Sequence, residues 1–217
     1  MSGLNSGQGR CRATARLLIR PTVSAIELGA GPDVITSAVK AAHHLNRHAS
    51  RDDFVAIALT AMRRGREGVL PGHELELIGS PDALTRFLSL EGAQLLFRRR
   101  MISPTAVEEL TFTPGAVGAA YVRDRASEKL SSGWARRAAA RAERNGFSFV
   151  PKAAPRHGGA EDTALISVGN APLRIREVVG AVTGGDLVVS TYGLSYGGSP
   201  AILPVRPALM EADRDAA

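Results

Sequence analysis

The alternation of two hydrophobic periods along the first hundred residues constrains this chain more than any other feature. "ATARLLIR" (13–20) puts Ala15, Leu17 and Ile19 on one side of an extended segment, and Pro21 ends it. "DVITSAVKAAHHLNRH" (33–48) switches to a helical spacing through Val34, Ile35, Ala38, Val39 and Ala42, with Asp33 as the expected N-cap. "FVAIALT" (54–60) reads as a buried strand, and "RRGREGVLPGH" as a charged loop. "ELELIG" (74–79) alternates again. "SPDALTRFLSL" (80–90) opens a helix with Ser80 at the N-cap and Pro81 at the first helical position. "QLLFRRRM" (94–101) reads as a strand running into a basic end.

That order is β-α-β-β-α-β, the split βαβ motif of ferredoxin-like domains, expected over residues 13–102. An RNA-recognition motif shares this arrangement, but the aromatic pairs of its sheet surface are missing here, so that module is disfavoured. Residues 1–12 read as a loose tail. From Pro104 the texture changes to a connector rich in Pro, Gly and Thr, then to a basic segment and short strands. The strands are expected at 147–150, 164–169, 173–178 and 186–192. The expected class is therefore α+β: a ferredoxin-like N-terminal domain, a second domain over 103–205 with an arginine-rich helix and short antiparallel strands, and a tail from 206 to 217.

The arginine-rich segment says most about partners. Residues 121–146 hold Arg123, Arg125, Lys129, Arg136, Arg137, Arg141 and Arg144 against Asp124, Glu128 and Glu143. A helix is expected at about 127–145. On it Trp134, Arg137, Arg141 and Arg144 fall on one side, with Ala135, Ala138, Ala139 and Ala142 beside them. Alanine and arginine favour the helix without a large buried stripe, and Gly146 supplies its stop. A solvated helix docked by its alanines is the alternative. Few acids are available to pair these cations, and the planar guanidinium matches phosphates and guanine edges, which favours a nucleic-acid role. The whole chain points the same way, with a net charge of +6 and cations that are mostly arginine. Aromatic residues make up 5%, which argues against base-stacking platforms for single strands. A single cysteine, Cys11, allows no internal disulfide and suits a reducing cytoplasm. No apolar run approaches a membrane span, and the N-terminus does not read as a signal peptide.

Histidines supply the candidate chemistry. His43, His44 and His48 lie near the end of the first long helix, and His44 and His48 have a spacing that can share a metal. No metal site is expected, and no cofactor. His43 lies one step off the apolar stripe. It reads either as a helix-end histidine stabilised by the dipole or as a general acid or base. His157 falls in a flexible loop over 152–162, and His73 reads as surface.

In this order "LLIRP", the helix ending "KAAHH", "GHELELIGSPDALTRFL", the arginine helix, "NAPLRI" and "YGLSYGG" resemble one family. The chain is similar to the type I-F CRISPR-associated endoribonuclease that matures CRISPR RNA, a relative of the repeat-associated ferredoxin-like proteins. The likeness spans nearly everything after the tail. It implies binding to the hairpin of the CRISPR RNA repeat and metal-independent cleavage at the stem base. The product stays bound, with the protein as a subunit among other effector-complex subunits. It implies His43 as the catalytic histidine, with His44 as the near alternative, and Tyr192 as the residue that orients it. It lays Arg136, Arg137, Arg141 and Arg144 in the hairpin's major groove. Arg123 and Tyr121 stand where the family reads the stem base. Arg125, Ser195 and Gly197 join the expected RNA contacts, and the glycines after Tyr192 would let the backbone approach the scissile nucleotide. The family's active-site serine is replaced by Ala154 and Pro155, with Arg156 or His157 as substitutes, and its stacking aromatic is absent near Ala164. The departure leaves a non-catalytic hairpin-binding subunit as the second reading. A basic DNA-binding module, supported by charge alone, is the third.

Overall fold

Strand β2 (Ala15–Ile19) sits inside a four-stranded sheet because its alternate residues are all apolar on one side. In this computed structural model, residues 7–66, 68–125, 132–149, 162–168, 171–182, 184 and 186–209 are described. Strand β1 is Gln8–Arg12, helix α1 is Val23–Glu27 and helix α2 is Gly31–His48. Strand β3 is Ala56–Ala58, and β4 (Arg63–Gly65) forms a hairpin with β5 (Gly68–Leu70). Strand β6 is Leu75–Gly79, followed by α3 (Pro81–Ser89), α4 (Glu91–Arg98) and β7 (Val107–Glu109). The sheet order is β3-β6-β2-β7, every pair antiparallel, with Leu17 opposite Leu77. Buried Val34, Ile35, Ala38, Val39 and Ala42 of α2 and Ala83, Leu84 and Phe87 of α3 join Leu17, Ile19, Leu75 and Leu77 in the core. Eighteen residues make α2 about 27 Å long, enough to carry its C-terminal end to the edge of the core.

The second half contributes β8 (Val117–Arg123), α5 (Ser132–Arg144), β9 (Ala164–Val168), β10 (Ala171–Ala181) and β11 (Asp186–Ser190). They form a three-stranded antiparallel sheet in the order β8-β10-β9, while β11 pairs with β1. Among the described residues no helix is long and apolar enough to cross a membrane.

Several expectations are corrected. Residues 94–101 do not form a strand; Glu91–Arg98 is helical, with Ala93 and Leu96 buried three apart. An apolar run as short as "LLF" satisfies either period, and Glu91 in the first turn favours the helix. The sheet's edge strand is β7 instead, inside the stretch expected to be a connector. The presumed N-terminal tail contributes a strand. Cys11 in β1 is buried, its thiol donates to the Ile78 carbonyl at 3.2 Å, and burial pushes its pKa up to about 12. The C-terminal tail begins later than 206, because Glu177 accepts hydrogen bonds from the Ala208 and Leu209 amides. The boundary at 102/103 does not divide two cores, since Leu17, Ile57, Tyr121, Ile175 and Leu203 belong to one buried cluster. Helix α2 starts at Gly31 after Ala30, so Asp33 lies in the first turn rather than at the cap. Residues 147–149 are not a strand. Ser80 does cap α3, accepting from the Ala83 amide at 3.1 Å, with Pro81 behind it.

Candidate active site

The C-terminal end of α2 is fastened to the rest of the molecule by one buried amide. Asn46 falls four residues after Ala42 and seven after Val39, on the apolar stripe, and is fully buried. Its Oδ1 accepts from the Val55 amide at 2.8 Å. Its Nδ2 donates to the Val55 carbonyl at 2.9 Å and to the Thr191 carbonyl at 3.2 Å. The Val55 N–H can meet only an acceptor, so the amide orientation is fixed by the network itself. One side chain thus ties α2, the entry to β3 and the turn after β11.

That turn carries the phenol. Gly193 has φ +73, its amide donates to the Ser190 carbonyl at 2.8 Å, and its carbonyl accepts from Ile57 at 3.0 Å. A Cβ on Gly193 would stand 2.7 Å from the Val55 carbonyl oxygen. This glycine is therefore required by the approach of the turn to β3. The reading that put its backbone at the RNA is corrected for Gly193, while Gly197 is exposed, a Cβ there meeting only the Val122 side chain at 3.6 Å.

With α2 and the turn so held, His43 and Tyr192 meet. Their ring centroids lie 3.9 Å apart at an interplanar angle of 7°, a stacked pair. The Arg123 guanidinium carbon at the end of β8 lies 5.6 Å from the Tyr192 centroid, within cation–π range. The expected partnership of residues 43 and 192 is thus a contact between ring faces. His43 is half-buried and its pKa is lowered. Burial is the first cause, and the charges of Arg47 and His44 act the same way. The Thr191 backbone opposes them by favouring the protonated ring, although buried Nδ1 makes no hydrogen bond of normal geometry. The result is an imidazole held neutral near neutral pH.

His44 is exposed and turns the other way, its ring 4.4 Å from that of His48. Among the described residues no three His, Cys, Asp or Glu side chains are grouped as a metal would need. His73 is half-buried, its Nδ1 wholly so, and it packs against Gly31.

Helix α5 presents Arg136, Arg137, Arg141 and Arg144, all exposed, and none of its described side chains is buried. It ends in a Schellman motif: Gly146 takes φ +72, its amide donates to Glu143 at 3.1 Å, and the Phe147 amide donates to Ala142 at 2.9 Å. Trp134 makes an edge contact with Phe149 at 5.7 Å. Arg125 is exposed. Ser195, expected at the RNA, is buried and donates its hydroxyl to the Ala201 carbonyl at 3.1 Å. Tyr121, which stands in place of one of the family's stem-base readers, is fully buried with its hydroxyl on Glu177 at 3.2 Å. Arg156 and His157 lie outside the described residues, as do Ala154 and Pro155. The residue that sequence reasoning missed is Asn46, and its signal was an amide standing on an otherwise apolar helix stripe.

The chain matches no family model, and no curated protein matches it.

Proposed function

We propose that this protein is a CRISPR-associated endoribonuclease of the type I-F kind, binding the repeat hairpin of precursor CRISPR RNA and cutting at the stem base without a metal. The reading takes the β3-β6-β2-β7 sheet with α2 and α3 as a ferredoxin-like domain, acting in the cytoplasm as part of an effector complex. The observation that carries it is the stack of His43 on Tyr192, 3.9 Å apart and beside Arg123, between segments distant in the chain. Two rings that a family resemblance pairs functionally thus meet at one site, next to a cation able to face a phosphate.

In the proposed reaction the ribose 2′-hydroxyl attacks the adjacent phosphorus as the bond to the 5′-oxygen breaks. The products are a 2′,3′-cyclic phosphate and a 5′-hydroxyl, the departing 5′-oxygen taking its proton from water. Nδ1 is buried, so Nε2 is the nitrogen assigned to the proton of the attacking hydroxyl. A neutral imidazole can take that proton, and the lowered pKa of His43 favours the neutral form. Tyr192 fixes the ring plane, and Arg123 offsets charge that builds on the phosphate. The exposed arginines of α5 hold the stem. An A-form major groove is too narrow for side chains in a long duplex, so the helix would enter near the loop end of a short stem.

The test is incubation with the repeat hairpin in EDTA. The expected result is a single cut with a cyclic phosphate end, lost by about 10²–10⁴ in rate for His43→Ala with binding retained. An uncut hairpin with the wild-type protein, or unchanged cutting by His43→Ala, overturns the enzyme reading. Tight salt-sensitive binding without product selects the binding-only subunit.

A further inference from the structure

Three arginines lie within four residues of the β4–β5 hairpin, and neither the core nor the stacked pair uses them. Arg63, Arg64 and Arg66 are all exposed. Register divides them between faces. Arg64 is opposite Val69, which is buried, so that face is turned to the protein, and Arg64 meets Asp162 there at 3.4 Å. Arg63 is opposite Leu70, which is 47% exposed, so that face is turned to solvent. The hairpin is therefore a short ribbon docked by Val69 and the Arg64–Asp162 pair, with guanidinium groups along its outer side.

Its place in the fold matters more than its charge. Strand β5 runs against β9. Asp162 lies two residues before β9, whose first residue, Ala164, is in register with Ile175 of β10, which is in register with Arg123 of β8. These residues form one row across the end of the three-stranded sheet. Adjacent strands are about 4.8 Å apart, so β9 stands about 10 Å from β8. Arg123 closes the row beside Tyr192 and His43. The cationic ribbon thus continues a line that begins at the stacked pair. One nucleotide of extended strand spans roughly the separation of adjacent sheet strands, so a few nucleotides cover the line.

We propose that the β4–β5 hairpin is a phosphate clamp for the single-stranded flank of the RNA, holding the chain as it leaves the stem base at His43. This rests on the hairpin-endoribonuclease reading and extends it to a second subsite. Recognition is of backbone charge, because the ribbon offers guanidinium groups and no aromatic platform. The clamp tells a flanked hairpin from a bare one, which α5 alone cannot do.

The experiment compares three RNAs at 50–200 mM salt: a bare hairpin, the hairpin with ten single-stranded nucleotides 5′ of the stem, and the hairpin with ten 3′ of it. The wild-type protein is expected to gain affinity from one flank. Arg63→Gln/Arg64→Gln/Arg66→Gln is expected to lose that gain while binding the bare hairpin unchanged. With Arg64 engaged by Asp162, the other two arginines account for a fall of about 1.4 in its log–log salt slope on the flanked RNA, a difference of about sevenfold across that salt range. Arg63→Gln/Arg66→Gln keeps the Arg64–Asp162 pair and should show about the same slope change, so any unfolding of the triple variant does not decide the matter. Equal flank dependence in wild type and variants overturns the clamp, as does an equal loss on the bare hairpin. A ten-nucleotide unstructured RNA separates the two readings. If wild type binds it more tightly than the variants but ignores every hairpin, the endoribonuclease reading fails and the clamp stands.

Discussion

Around His43, three hydrogen bonds from one buried asparagine hold the site, whereas along α5 no described side chain is buried at all. The proposed cleavage of a hairpin calls on both regions, yet they are stabilised by opposite means. The first is fixed by tertiary packing before any ligand arrives, which is how a proton-transferring group is kept in register with a reacting bond. The second is held by alanine propensity and a Schellman stop, and its cations face solvent. The difference separates two costs. Rigidity at His43 is part of folding stability, while order along α5 is drawn from local helix energetics and, on the proposed reading, from the bound RNA. Substitutions near His43 should therefore change stability and rate together, and substitutions on α5 should change only affinity.

The largest expected effects test the packed side of that contrast. His43→Ala should lower the cleavage rate by about 10²–10⁴ and the melting temperature by a few degrees, since it removes a half-buried ring stacked on Tyr192. Asn46→Ala should lower stability by about 3 kcal/mol, because it orphans the Val55 amide and the Val55 and Thr191 carbonyls inside the core. Cleavage should fall as well, through misplacement of Tyr192. Denaturant unfolding followed by a rate assay on the same preparation checks both. A stable Asn46→Ala protein with full activity would remove the claim that this amide positions the site.

The pattern of legibility follows the same division. Residues 15–19, 31–48, 75–79 and 81–89 were readable because each repeats its period long enough to choose between helix and strand, and Ser80–Pro81 marks a start with a physical cause. Residues 91–98 were not, because three consecutive apolar residues fit both periods. Strands β1 and β7 were hidden for a different reason. "QGRCR" and "VEE" carry little apolar signal, and they become strands only by pairing with β11 and β2. At the site, the partnership of residues 43 and 192 came from resemblance, while the RNA contact expected of Ser195 does not fit its burial. Burial depends on what closes over a strand, and that is a property of non-local packing.

The exposed side of the contrast predicts smaller effects. Arg137→Ala/Arg141→Ala should reduce the salt slope of hairpin binding by about 1.4–1.8, with no change in melting temperature. A fall in melting temperature would mean that α5 is packed after all. Gly146→Ala asks a finer question. Alanine at φ +72 costs about 1 kcal/mol, and it acts on the helix end alone. Affinity should fall by up to about fivefold while global stability holds, because the RNA must restore the last turn on binding.

The smallest effect is in the pH dependence, and there the two regions can be set against each other directly. The folded-state pKa of His43 lies below its ordinary value, chiefly through burial. Between the two values the unfolded chain binds more protons at this site than the folded one, so stability rises with pH across that window. The contribution is complete above the unfolded value of about 6.5 and is lost as pH falls through the lower folded value. The rate should follow the neutral imidazole, rising with pH to a plateau from a midpoint below 6.5. Tyr192→Leu opens the ring to water and removes the main cause of the shift. Its midpoint should move up toward 6.5, with the salt slope of binding unchanged because α5 is untouched. If Arg137→Ala/Arg141→Ala moved the midpoint while Tyr192→Leu did not, the shift would come from the basic helix, and burial against Tyr192 would have no part in setting the protonation of His43.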